Sequence, residues 1–122
     1  MFYYKEISRK ILAASFEVYN NLGNGFLEKV YENALMLELK NQGLDCVNQL
    51  PVDVVYKDNI VGSYYADIVV ENKVIIELKT CKNITDEHRA QILNYLKAVK
   101  YKVGYLINFG NESKLEYKRM VL

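Results

Sequence analysis

Apolar residues in the first part of the chain recur every three or four positions, which is the spacing of an amphipathic helix. This pattern predicts a first helix over 5–21, and the glycine-containing segment Asn21–Gly25 ends it. A second helix is predicted over Leu27–Asn41, with Gly43 suited to its C-terminal cap. The buried stripe predicted for this second helix is Leu27, Val30, Tyr31, Ala34 and Leu37.

The pattern then changes to the alternation of strands. Three strands are predicted, joined by two short turns, over 47–56, 60–70 and 74–80. Pro51 cannot donate a hydrogen bond to a neighbouring strand, so the first of these strands is expected at a sheet edge. A third helix is predicted from the N-cap Thr85 to about Val99. Two final strands are predicted over 102–108 and 115–121.

The resulting order, ααβββαββ, predicts an α/β fold in which helices pack on the faces of a mixed five-stranded sheet. The third helix should form a right-handed crossover that makes the strands on either side of it parallel. A length of 122 residues favours a single domain over 1–122.

Composition narrows the function only slightly. The formal net charge is +1, so any nucleic-acid contact must come from a local patch rather than from overall charge. Cys46 and Cys81 lack the spacing of a metal site, which favours a reduced, cytoplasmic setting. No apolar run approaches the roughly 18 residues of a membrane span, and the N-terminus does not resemble a signal peptide.

Charged residues interrupt a strand that is otherwise apolar. If the turn before this strand is centred on Asn72, then Asp67 lies opposite Glu77. Two carboxylates placed in this way repel each other, and a divalent cation bound between them would relieve the repulsion. Lys79 lies two residues beyond Glu77 and therefore on the same face. If the first two strands pair about a turn centred on Asp58, Gln49 lies opposite Asp67 and borders the same pocket.

Two acids and a lysine around a metal suit the hydrolysis of a phosphodiester. The metal polarises the phosphate and activates water, and the lysine positions that water or neutralises developing charge. The alternative is that Glu77 and Lys79 are merely solvent-facing residues of a one-sided sheet. The apolar residues on both faces of this strand favour a buried strand with a functional polar end.

The helices add further candidates. Glu28 begins the second helix, although an acid there is often only a partner of the helix dipole. Gln91 and Tyr95 share one face of the third helix. His88 is the only histidine, so a zinc site is not indicated. We expect His88 at the surface near the helix start, where it could contact phosphate.

Together these segments resemble the PD-(D/E)XK nuclease superfamily and, within it, the GxxExxY family. Gly25, Glu28 and Tyr31 match the motif that names this family. Further similar stretches are NQLPVDVVYK, YYADIVVENKVIIELK, HRAQILNYLKA, GYLINFG and KRMV. The resemblance covers roughly 5–122, and it departs from the superfamily pattern at Ala66, where the superfamily name has proline.

The resemblance implies a restriction-endonuclease-like, three-layer αβα sandwich. Its five strands would run in sequential order, with the second and fifth antiparallel to the others. Asp67, Glu77 and the backbone carbonyl of Leu78 would bind Mg²⁺ or Mn²⁺, and Lys79 would be the catalytic lysine. Glu28 would be a helix-borne acid of the same site.

Gln91 and Tyr95 resemble an element that lies near the site in one branch of the superfamily. Gln91 is therefore expected in the catalytic set, and the expected nucleic-acid contacts are Tyr95, His88 and Tyr31.

Three classes of function remain open at this point. The first is a metal-dependent nuclease that acts on nucleic acid, with DNA expected over RNA. The second is a catalytically silent module on the same fold that binds nucleic acid or protein. A third possibility is a protein-interaction subunit that is active only as an oligomer. A homodimer would supply a second active site and a longer footprint, because a domain of this size has few surfaces with which to hold a duplex.

Overall fold

The computed structural model describes residues 2–122, and it contains the eight elements in the predicted order. They are α1 (Lys5–Leu22), α2 (Glu28–Asn41), β1 (Cys46–Tyr56), β2 (Asn59–Val70), β3 (Val74–Lys79), α3 (Asp86–Val99), β4 (Val103–Asn108) and β5 (Glu116–Val121). The predicted boundaries lie within one residue of these. Among residues 2–122, no helix is both long and apolar enough to cross a membrane.

The five strands form one sheet in the order β1-β2-β3-β4-β5. Only β3 and β4 are parallel, and the other three neighbouring pairs are antiparallel. The second and fifth strands therefore run against the rest, as expected. The position of β1 at the edge confirms the prediction from Pro51.

Helices cover both faces of this sheet. Ile76 and Leu78 of β3 pack on the side of α1 and α2, whereas Ile75 packs on the side of α3. Because both faces are covered, β3 is buried from Val74 to Leu78. A charged side chain in this strand is consequently held in a largely water-free layer.

The buried face of α2 differs from the predicted stripe. Leu27, Val30 and Leu37 are exposed, and the exposed fraction of Leu27 reaches 80%. The residues of α2 that are buried are Tyr31, Glu32, Leu35 and Leu39. The prediction was wrong because it counted from Leu27, which is the N-cap and lies outside the helix. Counting in steps of four from Tyr31 gives the correct face.

The segment between β3 and α3 is fixed by buried hydrogen bonds. The Asn108 side chain accepts from the Cys81 N–H at 3.1 Å and donates to the Cys81 carbonyl at 2.8 Å. Glu116 accepts from the Ile84 N–H at 2.9 Å. Thr85 then caps α3, which confirms the predicted N-cap. The end of β3 and the start of α3 are thus held in a defined relation.

Gly110 gives a test of this arrangement. A Cβ atom at Gly110 would lie 2.5 Å from the Cys81 backbone nitrogen and would also clash with Thr80, whereas at Gly62 the nearest atom is 3.6 Å away. We expect Gly110→Ala to lower the free energy of unfolding by about 1–3 kcal/mol through overpacking. Gly62→Ala should change it much less. Equal effects in urea denaturation would contradict this packing.

Candidate active site

The sheet forks beside β3. β2 and β3 are paired at only three positions, from Val70–Val74 to Ile68–Ile76, and this confirms the predicted register. Beyond Ile68, β2 continues beside β1 as a two-stranded ribbon, and β3 continues beside β4. Asp67 and Glu77 are the first residues past the last pair, so they lie where the two strands separate.

Asp67 takes the place of a strand partner at this fork. Its Oδ2 atom accepts a hydrogen bond from the Leu78 N–H at 2.8 Å. The carbonyl of Lys79 accepts from Phe109 and therefore faces β4. Because successive residues of a strand face opposite neighbours, the Leu78 carbonyl faces the Asp67 side, as its N–H does. Two carboxylates and one backbone carbonyl are thus available at the fork.

Glu77 is buried without a hydrogen-bond partner for its Oε1 atom. Its exposed fraction is only 5%. Burial, followed by the negative charge of neighbouring Asp67, raises the pKa of Glu77 to about 9. In the absence of a cation, this pair of acids therefore holds a proton at neutral pH.

Lys79 lies among the acids of the site. Its positive charge acts against the rise in the pKa of Glu77 and of Glu28. The same charge lowers the pKa of His88. No ion pair among residues 2–122 includes Lys79. Its ammonium group therefore remains available to a ligand, and its half-buried position limits screening by water.

The N-terminus of α2 brings Glu28 to the same place. Partial loss of water raises the pKa of Glu28, and the charges of Asp67 and Glu32 add to this rise. Glu28 is nevertheless exposed at its outer side. It lies at the rim of the acid pair, where it can contact a water molecule or a substrate.

α3 contributes the opposite wall. Tyr95 is buried, and its pKa is raised by burial and by the nearby charge of Glu77. Gln91 donates to the Tyr95 hydroxyl at 3.1 Å, and the Tyr64 ring lies 5.4 Å from the Tyr95 ring. All three line a groove of about 920 Å³ between α3 and the β1–β2 ribbon. Asp67, Glu77 and Lys79 do not line this groove, and Tyr95 is the groove residue on which the charge of Glu77 acts.

His88 has a role in the helix cap. Its ring Nδ1 atom accepts a hydrogen bond from the Thr85 backbone N–H at 3.1 Å, and the His88 backbone N–H donates to the Thr85 hydroxyl at 3.2 Å. Partial burial and the charge of Lys79 lower the pKa of His88. Because Nδ1 accepts a hydrogen bond, the neutral ring carries its proton on Nε2. The Nε2–H group is therefore a donor that the cap does not use.

Tyr31 belongs to the core. It is completely buried, and its ring stacks on Phe109 at 4.5 Å. Its hydroxyl donates to the Gly23 carbonyl at 2.6 Å and accepts from the Phe26 N–H at 3.2 Å. A base cannot stack on this ring, so we leave Tyr31 out of the nucleic-acid contacts. It fixes the loop that begins α2 and so positions Glu28.

The structure adds one acid that the sequence reasoning missed. Glu32 is buried and accepts hydrogen bonds from Lys29 at 2.7 Å, Asn48 at 3.0 Å and Gln49 at 2.7 Å. Burial alone would raise the pKa of Glu32, but these three donors lower it. The available signal was its spacing, because Glu32 lies one helical turn after Glu28.

The donor set decides which metal the fork fits. Residues 2–122 contain no group of three or more His, Cys, Asp or Glu side chains that could hold an ion. Asp67, Glu77 and the Leu78 carbonyl supply oxygen only, and a cation would satisfy the unpartnered Glu77 oxygen. Mg²⁺ is commonly held by one or two carboxylates, with water and substrate phosphate completing its shell. The fork fits such an ion.

Fold and site together define an αβα domain with two acids and a lysine at the point where the sheet forks. The chain belongs to the PD-(D/E)XK nuclease superfamily, because the family model of that description matches residues 5–120. The fold is therefore restriction-endonuclease-like, as expected from the sequence.

A solved structure agrees with this fold. The protein described as "Crystal structure of SSO0001" superposes on this chain with a TM-score of 0.57 at 16% sequence identity. The match covers 97% of this chain and 57% of that one, so this chain spans little more than half of that protein. No curated protein matches the chain.

The proton on Glu77 makes stability depend on pH. In EDTA, the wild-type free energy of unfolding should fall as pH rises from about 4.5 towards 9, because unfolding releases the proton that native Glu77 retains. The slope is at most about 1.4 kcal/mol per pH unit. Glu77→Gln lacks this loss, so it should exceed wild type in stability near pH 8 and match it near pH 4.

Urea denaturation across this pH range would measure the difference between the two proteins. Glu112→Gln is a suitable control because Glu112 is exposed. A Glu77→Gln curve parallel to wild type at every pH would contradict the buried, protonated acid.

Proposed function

We propose that this protein is a divalent-metal-dependent nuclease that hydrolyses phosphodiester bonds of nucleic acid. The observation that carries the proposal is the buried pair of Asp67 and Glu77, with an unpartnered Glu77 oxygen and Lys79 beside it. Glu77 takes part in none of the ion pairs among residues 2–122, so no structural partner explains its burial. Membership of the nuclease superfamily supports the same reading, and so does the sequence likeness to the GxxExxY family.

Asp67, Glu77 and the Leu78 carbonyl would hold Mg²⁺ or Mn²⁺. When bound, such an ion polarises a phosphate and lowers the pKa of water. Asp67 is kept in place for this by the Leu78 N–H. Glu77 must give up its proton when the ion binds, so affinity should rise with pH.

The remaining residues would act on water and phosphate. Lys79 would donate to the attacking water or to the phosphate oxygens, where negative charge grows. Glu28, at the rim, would accept a hydrogen bond from that water. Gln91 and the Nε2–H of His88 would donate to phosphate at the mouth of the site.

The groove beside α3 would receive the nucleic-acid strand. Its walls combine the Tyr64 ring with the amides of Gln91 and Asn94, and the lysines Lys97 and Lys100 also line it. Bases stack on exposed aromatic rings, and lysines contact phosphates. We retain DNA as the expected substrate, and parallel assays with RNA of the same sequence test that choice.

Removing a proposed metal ligand should abolish cleavage. We expect Asp67→Asn to lower Mn²⁺-dependent cleavage at least about 100-fold. Mutating a residue that only hydrogen-bonds to a metal ligand already costs about 10–100-fold in metal affinity or activity, and Asp67 would itself be a ligand. Its fold should be as stable as that of wild type or more so, because the variant removes a buried repulsion. Asp58→Asn, in the exposed β1–β2 turn, is the matched control.

Cleavage retained by pure Asp67→Asn would refute the site. Nucleic-acid binding that persists in EDTA, without cleavage by wild type under either metal, would instead favour the silent binding module.

A variant of Lys79 distinguishes metal binding from catalysis. Lys79→Met should retain Mn²⁺ binding in calorimetry, because lysine is not a ligand, yet lower the cleavage rate about 10²–10³-fold. An unchanged rate would show that Lys79 is not part of the catalytic set.

A further inference from the structure

We infer that Glu32 and Gln49 form a positioning pair that orients the Asp67 carboxylate for the metal. This inference rests on the proposed function, since it concerns the same ligand. It assigns a role to the buried acid of α2 and to a residue of β1, neither of which would touch the metal.

The contacts form a continuous chain from α2 to the fork. The side-chain nitrogen of Gln49 donates to Glu32 Oε1 at 2.7 Å and lies 3.5 Å from Asp67 Oδ1. An amide nitrogen carries two hydrogens, so one can serve each carboxylate. The other oxygen of Asp67 is held by Leu78. The Leu78 N–H therefore holds one oxygen of Asp67, and the Gln49 amide faces the other oxygen at the long end of hydrogen-bond distance.

The backbone of Gln49 supports this reading. Its φ angle is 53°, in the left-handed region that residues other than glycine seldom occupy. The regular pairs of β1 with β2 continue on either side of it, at Asn48–Ile68 and Leu50–Ala66. Such strain persists only where surrounding contacts hold it, and the short bond to Glu32 is such a contact.

Glu32 is itself held firmly. Lys29 pairs with it at 2.7 Å, and Asn48 donates to the same oxygen at 3.0 Å. The Lys29 charge offsets the charge of Glu32, which would otherwise add repulsion to the acids at the fork. Asn48 donates a hydrogen bond to Glu32, whereas the hydrogen bonds of Asp67 come from Gln49 and Leu78, so Asn48 is the matched control.

Mn²⁺ titration of purified variants tests the pair. Gln49→Met keeps the size of the side chain and removes its donors, and it should weaken Mn²⁺ binding 10–100-fold. Glu32→Gln should weaken binding in the same direction, and the double variant should be no weaker than Gln49→Met alone. Asn48→Ala should stay within about threefold of wild type.

Hydrogen exchange provides a readout that needs no metal. Because the Leu78 N–H donates to Asp67, loss of orientation in Gln49→Met should reduce protection of the Leu78 amide in NMR spectra, while Ile76 stays protected. This result separates the two proposals. Absence of metal-dependent cleavage by wild type would refute the proposed function, and the Leu78 amide would still report on the orientation of Asp67.

Unchanged Leu78 protection in Gln49→Met would overturn the inference. So would fully additive losses of affinity in the double variant, or an Asn48→Ala loss as large as that of Gln49→Met. If Glu32→Gln fails to fold, Gln49→Met and Asn48→Ala still decide the question.

Discussion

The repulsion between Asp67 and Glu77 is the constraint on which the site depends. Glu77 is buried beside the half-buried Asp67, and both burial and the charge of Asp67 raise its pKa to about 9. Ionising Glu77 is costly for the fold, because its carboxylate would lack solvent and have a like charge beside it. A divalent cation bound as proposed would reverse this balance, since it would attract both acids and displace the proton.

The fold creates this constraint by covering β3 on both faces and then separating it from β2. Helices on either side exclude water from Glu77, and the fork leaves the Leu78 N–H for Asp67 rather than for a strand partner. The starts of α2 and α3 converge on the same place, which brings Glu28 and His88 near Lys79. The acid pair and the Leu78 carbonyl thus come from the sheet, whereas Glu28 and His88 come from the helices.

Much of this could be predicted from the sequence, because strand alternation and turn residues determine register. The β2–β3 register, which brings Asp67 and Glu77 to the same end of the pairing, follows from one turn, and the edge position of β1 follows from Pro51. The buried face of α2 could not be found in the same way, because apolar residues occur around most of the helix. Glu32 was missed because its partners on β1 are distant in sequence and become neighbours only in the folded chain.

Proton release during Mn²⁺ binding shows most plainly whether an ion lies between Asp67 and Glu77. Calorimetric titrations at pH 7 in two buffers of different ionisation enthalpy give the number of protons displaced per ion. We expect about one proton per ion, released by Glu77 as the ion takes the place of the proton. Tight binding with no proton released, or undiminished binding by Glu77→Ala, would show that the ion does not lie between Asp67 and Glu77.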